Sequence, residues 1–140
     1  MIGPARLPDW AVRLATYVAV HSVTPYREGR FDCALFVAGG VDAMTGSDFV
    51  SRWRGYRSKA AGLRRLRSAG YSAPVDLVAA LFDQVDTAAG RAGDVAMIGA
   101  TLGLIQGPRF VYCVGPAGVG LVDRAAVDRV FEVKVASWHR

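Results

Sequence analysis

The chain has 140 residues, 52% of them hydrophobic and 21% charged, and its 17 basic and 12 acidic side chains give a net charge of +5. This length predicts one domain, and the apolar fraction excludes a disordered chain. Two cysteines and 16 unpatterned glycines exclude disulfide-rich and collagen-like scaffolds. No apolar run is long enough to span a membrane and no signal peptide is apparent, so we expect a small soluble protein made in a reducing compartment.

The first half of the chain has the residue pattern of helices. A first helix starts after Pro8-Asp9 and ends before Pro25, and its apolar face comprises Trp10, Leu14, Tyr17, Val18 and His21. A second helix begins after Asp32, a favourable N-cap residue, and ends at Thr45-Gly46. Two further helices are predicted over residues 58–69 and 74–82.

The second half has the residue pattern of strands. Five short runs are rich in β-branched and aromatic residues and are mostly separated by Gly and Pro turns: residues 95–98, 102–105, 110–113, 120–122 and 130–135. Helices followed by strands predict an α+β domain, with N-terminal helices packed on a C-terminal antiparallel sheet.

Cys33 is the candidate nucleophile. It follows Asp32 and therefore lies in the first turn of the second helix, where unpaired backbone N–H groups and the helix dipole stabilise a thiolate. The carboxylate of Asp32 opposes this effect. The alternative interpretation is that Cys33 is a small buried hydrophobic residue.

The residues around Cys33 resemble a known family. Pro25-Tyr26, Gly29 and Phe31-Asp32-Cys33, followed by a helix, resemble the nucleophile segment of NlpC-type cell-wall peptidases. Residues 91–98 resemble the Gly-Asp strand of that family, and residues 101–107 resemble its next strand. The resemblance implies a papain-like fold, in which the cysteine opens a helix that packs on an antiparallel sheet.

The catalytic base of that family has no counterpart here. The family's histidine falls at the position of Thr101, and its third polar residue falls at Tyr112 or Cys113. A threonine does not act as a general base near neutral pH, whereas a thiol nucleophile needs one. The resemblance therefore implies a degenerate peptidase that retains only Cys33 of the trio.

The two histidines are the remaining candidates for a base. His21 lies on the apolar face of the first helix and is either a packed helix-end histidine or a relocated base for Cys33. His139 lies close to the C-terminus, where chains are often loose, and is a poor candidate.

No metal or other cofactor is expected. The two cysteines and two histidines lack the spacing of a zinc site. The sequence leaves open whether Cys33 and Cys113 form a disulfide, although a reducing compartment disfavours one.

Residues 49–75 contain no acidic side chain and form a basic patch. The segment carries +7, so the rest of the chain is slightly acidic, and the patch comprises Arg52, Trp53, Arg54, Arg57, Lys59, Arg64, Arg65 and Arg67. Tyr56 and Tyr71 are interleaved with these residues. Three interpretations stay open: a solvated helix face with its aromatic side chains in the core, a protein interface, or a nucleic-acid surface.

A narrower resemblance concerns phage tails. Residues 31–37, 44–48, 54–57, 62–66, 93–95 and 102–107 resemble an uncharacterised family of short phage and prophage proteins encoded among tail-tip genes. The resemblance implies a virion tail-tip location after synthesis in the bacterial host cytoplasm. It also implies docking on hub or distal-tail proteins, with peptidoglycan as a further candidate partner.

We therefore expect a tail-tip structural protein with an inactive NlpC-like fold. One alternative is an active cysteine peptidase or amidase that opens peptidoglycan during DNA entry, using Cys33 with His21 or with a histidine from a neighbouring protein. A second alternative, less favoured because no nucleic-acid-binding motif accompanies the basic patch, is a small basic module that binds nucleic acid.

Overall fold

The computed structural model describes residues 3–135 and confirms the α+β class. Five helices come first: α1 (Trp10–Val20), α2 (Cys33–Thr45), α3 (Phe49–Trp53), α4 (Lys59–Ser68) and α5 (Pro74–Leu81). Six strands follow: β1 (Asp83–Val85), β2 (Val95–Ile98), β3 (Thr101–Ile105), β4 (Phe110–Gly115), β5 (Gly118–Asp123) and β6 (Arg129–Glu132). Single 3₁₀ turns at Thr87–Ala89 and Arg124–Ala126 follow β1 and β5.

The six strands form one antiparallel sheet in the order β1-β6-β2-β3-β4-β5. A tight turn joins β2 to β3, where Ile98 pairs with Thr101, and a second one joins β4 to β5, where Gly115 pairs with Gly118. The last strand returns to lie between β1 and β2. This arrangement places the beginning of β3 near the middle of the sheet.

Both faces of the sheet are covered by apolar side chains. The main core lies between the helices and one face, and it includes Leu14, Phe36, Met44, Leu104 and Phe131. A smaller cluster of strand residues comprises Ala96, Ile105, Val111, Cys113 and Val130. Because successive strand residues point to opposite faces, the smaller cluster marks the second face of the sheet. Helix α2 packs closely on β3 and thereby sets the position of Cys33 relative to that strand.

A buried ion pair joins the N-terminal segment to the sheet. Arg6 Nη2 lies 2.7 Å from Asp94 Oδ1, and both side chains are almost fully buried. The remaining donors of Arg6 reach the carbonyl oxygens of Val133 and Ala92, while Asp94 also accepts the backbone N–H groups of Arg91 and Val133. The aspartate of the predicted Gly-Asp strand is thus a structural residue.

The structure corrects several predicted boundaries. Helix α1 ends at Val20 with His21 as its C-cap, four residues earlier than the predicted end before Pro25. Helix α3 was absent from the predicted elements, and it forms because the Asp42 carboxylate accepts the N–H groups of Phe49 and Val50. Strand β1 was also absent, since its three residues become a strand only by pairing with β6. Every helix within residues 3–135 is too short or too polar to cross a membrane.

Candidate functional site

Cys33 is the first residue of α2, as its sequence context predicts. Asp32 caps the helix: its Oδ1 accepts the N–H of Leu35 at 2.9 Å, and its Oδ2 accepts the N–H of Gly29 at 3.0 Å. The Asp32 side chain is buried and the Cys33 side chain is half-buried. The N-cap therefore fixes both the start of the helix and the place of the thiol.

A cavity of about 480 Å³ lies beside Cys33, between α2, the segment that carries α3 to α5, and the β2–β3 end of the sheet. Its walls are mostly apolar. The polar side chains that line it are few: Tyr26, Glu28, Asp32, Tyr56, Lys59 and Thr101. The structure therefore brings Cys33 and Thr101 into one cavity, and neither His21 nor any other histidine of residues 3–135 lines it.

The environment of Cys33 favours the protonated form of its thiol. Burial is the largest effect, and it raises the pKa of Cys33 above the ordinary value. Backbone N–H groups of Leu102 and Ala34 lower this pKa, whereas the negative charge of Asp32 raises it further. The helix N-terminus does act in the predicted direction, but desolvation outweighs it.

His21 packs among aromatic rings. Its ring centroid lies 4.8 Å from that of Tyr17 and 4.8 Å from that of Phe31, with which it stacks. Its Nδ1 lies 3.4 Å from Thr24 Oγ1, and burial lowers the pKa of the imidazole. This is the environment of a packed helix-end histidine, and His21 does not line the cavity beside Cys33. His139 lies outside the described residues.

Tyr112 and Cys113 are neighbours in β4 that point to opposite faces of the sheet. Tyr112 packs against the main core, and Cys113 is buried in the smaller cluster. Neither residue lines the cavity beside Cys33. Burial, followed by the proximity of Cys33, raises the pKa of Cys113 to about 11. Both cysteines are free thiols.

Tyr56 is a site residue that the sequence does not reveal. Its hydroxyl donates a hydrogen bond to Asp32 Oδ2, and burial raises the pKa of the phenol. Its carbonyl oxygen packs so closely on Gly29, which has a φ of +73°, that any Cβ at that position would overlap it. The N–H of Gly55 donates to the Gly29 carbonyl at 2.8 Å. These contacts join the α3–α4 connection to the loop that precedes Cys33.

All seven cations of the basic patch are exposed. Arg65 forms hydrogen bonds within the segment: its Nη1 donates to the carbonyl oxygens of Trp53 and Arg54 at 2.9 and 2.6 Å. None of the seven forms a salt bridge with a residue in 3–135. The aromatic residues of the segment are half-buried, and three of them, Phe49, Trp53 and Tyr56, line the cavity.

Residues 3–135 contain no group of three or more His, Cys, Asp or Glu side chains placed to hold a metal ion. The chemical groups that line the cavity are the thiol of Cys33, the carboxylates of Asp32 and Glu28, the ammonium of Lys59, two phenols and the hydroxyl of Thr101.

Residues 5–133 match the model of a family described as a domain of unknown function, DUF6950. Since the match covers nearly the whole chain, the protein belongs to this family. No curated protein matches the chain.

Proposed function

We propose that this member of the DUF6950 family is a catalytically inactive papain-like domain that serves as a structural component of a phage tail tip. The observation that carries the proposal is the cavity shared by Cys33 and Thr101, which no histidine of residues 3–135 enters. In an NlpC-like arrangement, the residue that opens the strand beside the nucleophile is the general base. A threonine hydroxyl does not take a proton from a thiol near neutral pH.

The papain-like assignment is supported by the placement of Cys33. The residue opens a helix that packs on an antiparallel sheet, and the adjacent strand begins with Thr101 in the same cavity. The raised pKa of the Cys33 thiol agrees with loss of activity, because the thiolate is the nucleophilic form.

The tail-tip assignment is supported by the resemblance to short tail-tip proteins and by the exposed basic patch. A patch of Arg, Trp and Tyr residues has the composition of protein interfaces. Docking on hub or distal-tail proteins would use this surface, while the degenerate cleft would take no part in cell-wall cleavage.

Two measurements test the proposal. Incubation of purified peptidoglycan with the wild-type protein, Cys33→Ala and the control Cys113→Ala should release no soluble fragments from any sample. Mass spectrometry of purified phage particles should detect the protein. Fragment release that Cys33→Ala abolishes and Cys113→Ala retains would overturn the inactive assignment. Particles that lack the protein would overturn the tail-tip assignment.

A further inference from the structure

We propose that the basic patch and the cavity beside Cys33 form one docking site for an acidic partner segment that inserts apolar side chains into the cavity. This inference rests on the proposed docking function and specifies the chemistry of the partner. The two features belong to the same stretch of chain, since Trp53, Lys59, Leu63 and Leu66 all line the cavity.

The cavity requires an apolar occupant. Residues of α4, α5 and the sheet give it mostly aliphatic walls, and its volume of about 480 Å³ is large enough for several side chains or a small ligand. Aliphatic walls of this extent offer van der Waals contacts to apolar atoms. Leucine-type side chains of a partner would supply those contacts.

The basic patch beside the cavity favours a negatively charged occupant. Two carboxylates also line the cavity, but Asp32 is buried and accepts the Tyr56 hydroxyl, and Glu28 accepts the Tyr26 hydroxyl. Lys59 lines the cavity, and the exposed Arg57 lies two residues before it at the start of α4. Acidic side chains are missing from the whole of residues 49–75, so the segment offers no internal counter-charge. Carboxylates that flank the apolar anchors of a partner would pair with these cations.

The aromatic residues disfavour nucleic acid as the occupant. Binding of single strands uses aromatic faces on which bases stack. Here Trp53 lines the cavity, and the Tyr56 hydroxyl bonds to Asp32 while its ring lies against Gly62. The Tyr56 ring is therefore already packed within the chain, the Trp53 ring lines a mostly apolar cavity, and a phosphate backbone would not fill that cavity.

Segments of this chain are also poor occupants. Many of its acidic side chains already have partners within the chain: Asp9, Asp83, Asp94 and Glu132 form salt bridges, and Asp32, Asp42, Asp86, Asp123 and Asp128 accept backbone N–H groups. The residues beyond 135, Ala-Ser-Trp-His-Arg, include no acid. The charge therefore favours a different protein over a second copy.

A labelled amphipathic peptide of Leu, Glu and Ala, with the leucines on one helical face, is the direct probe. Fluorescence anisotropy should show micromolar binding that weakens between about 50 and about 300 mM salt, since exposed charges are screened. Arg57→Glu/Lys59→Glu should weaken binding by about fivefold or more, whereas the matched control Arg13→Glu/Arg109→Glu, on exposed residues outside the patch, should stay within about twofold.

The apolar part of the site is tested with both the protein and the probe. Ala38→Phe, which puts a large side chain into the cavity, should abolish binding while the circular dichroism spectrum is retained. A probe with alanine in place of every leucine should not bind the wild-type protein, and this result holds even if Ala38→Phe fails to fold.

Several outcomes would overturn the site. Two concern the probes: the leucine probe does not bind, or the alanine probe binds equally well. Two concern other occupants: duplex DNA binds more tightly than the probe and Arg57→Glu/Lys59→Glu weakens that binding, or sedimentation shows a dimer that the same variant dissociates. If the protein is inactive on peptidoglycan and present in phage particles but does not bind the probe, the docking site is rejected and the proposed function stands. Cys33-dependent cleavage of peptidoglycan rejects the proposed function whatever the probe does.

Discussion

The Tyr56 hydroxyl donates a hydrogen bond to Asp32 Oδ2, the carboxylate that caps the helix carrying Cys33. The two residues are 24 positions apart. Through this bond the α3–α4 connection, which belongs to the basic patch, is attached to the loop before the thiol. A change in the basic segment can therefore affect the environment of Cys33.

Tyr56→Phe should destabilise the protein by about 1–2 kcal/mol, because it removes a hydrogen bond to a buried carboxylate. Urea denaturation measures the loss. Tyr26→Phe is the matched control, since the Tyr26 hydroxyl bonds to Glu28 at the surface, and it should change the free energy of unfolding by less than about 0.5 kcal/mol. Equal effects of the two variants would show that the Tyr56–Asp32 bond is not a stabilising contact.

Asp32→Asn should accelerate alkylation of Cys33 by iodoacetamide. The Asp32 charge raises the pKa of the thiol, and asparagine removes that charge. Its one side-chain oxygen can still cap the N–H of Leu35, while the bonds that Oδ2 accepts from Gly29 and Tyr56 are lost. The rates are compared at one pH in a Cys113→Ala background, so that only one thiol reacts. Asp48→Asn, at the exposed start of α3, should leave the rate unchanged. A slower reaction of Asp32→Asn would contradict the assigned electrostatic effect.

Asp94→Asn should cost about 3–5 kcal/mol of stability, because it leaves the buried Arg6 guanidinium without its counter-charge. Glu132→Gln is the control, since its pair with Arg91 is partly exposed and 3.4 Å long. That change should cost less than about 1 kcal/mol. Chemical denaturation of both variants checks the difference, and similar losses would mean that burial of the Arg6–Asp94 pair has no special weight.

The free energy of unfolding should fall with rising pH between about 9 and 11, in part through Cys113. Its pKa rises from 9.0 to about 11 on folding, so the unfolded chain loses the thiol proton first and the native state binds more protons over this range. This contribution to stability is complete below pH 9 and is lost as the pH passes 11. Cys113→Ala should show a shallower decline than the wild type, and parallel curves would exclude the effect.

The pattern of apolar residues was enough to predict α2 and the strands β2 to β5. Their core-facing side chains repeat with the period of a helix or a strand, and glycines mark their turns. Helix α3 and strand β1 could not be predicted in this way. The first depends on the carboxylate of Asp42, and the second depends on pairing with a strand near the other end of the chain.

The candidate site was predicted in part. The sequence Asp32-Cys33 predicts the capped start of α2, and the resemblance to NlpC-type peptidases singled out Thr101, which lines the same cavity as Cys33. The raised pKa of Cys33 could not be read from the sequence, because burial depends on how α2 packs against β3. The Tyr56–Asp32 hydrogen bond could not be predicted from the sequence either, since nothing in the local sequence of either residue indicates the other.

The pH profile of Cys33 alkylation tests most directly the proposal that no side chain of residues 3–135 acts as its base. In a Cys113→Ala background, the iodoacetamide rate should be low at neutral pH and should rise only at alkaline pH, above the range of an ordinary thiol. His21→Phe, which keeps an aromatic ring between Tyr17 and Phe31, should leave the profile unchanged. A rapid reaction with a plateau at mildly acidic pH, lost in His21→Phe, would reveal a thiolate–imidazolium pair and contradict the proposal.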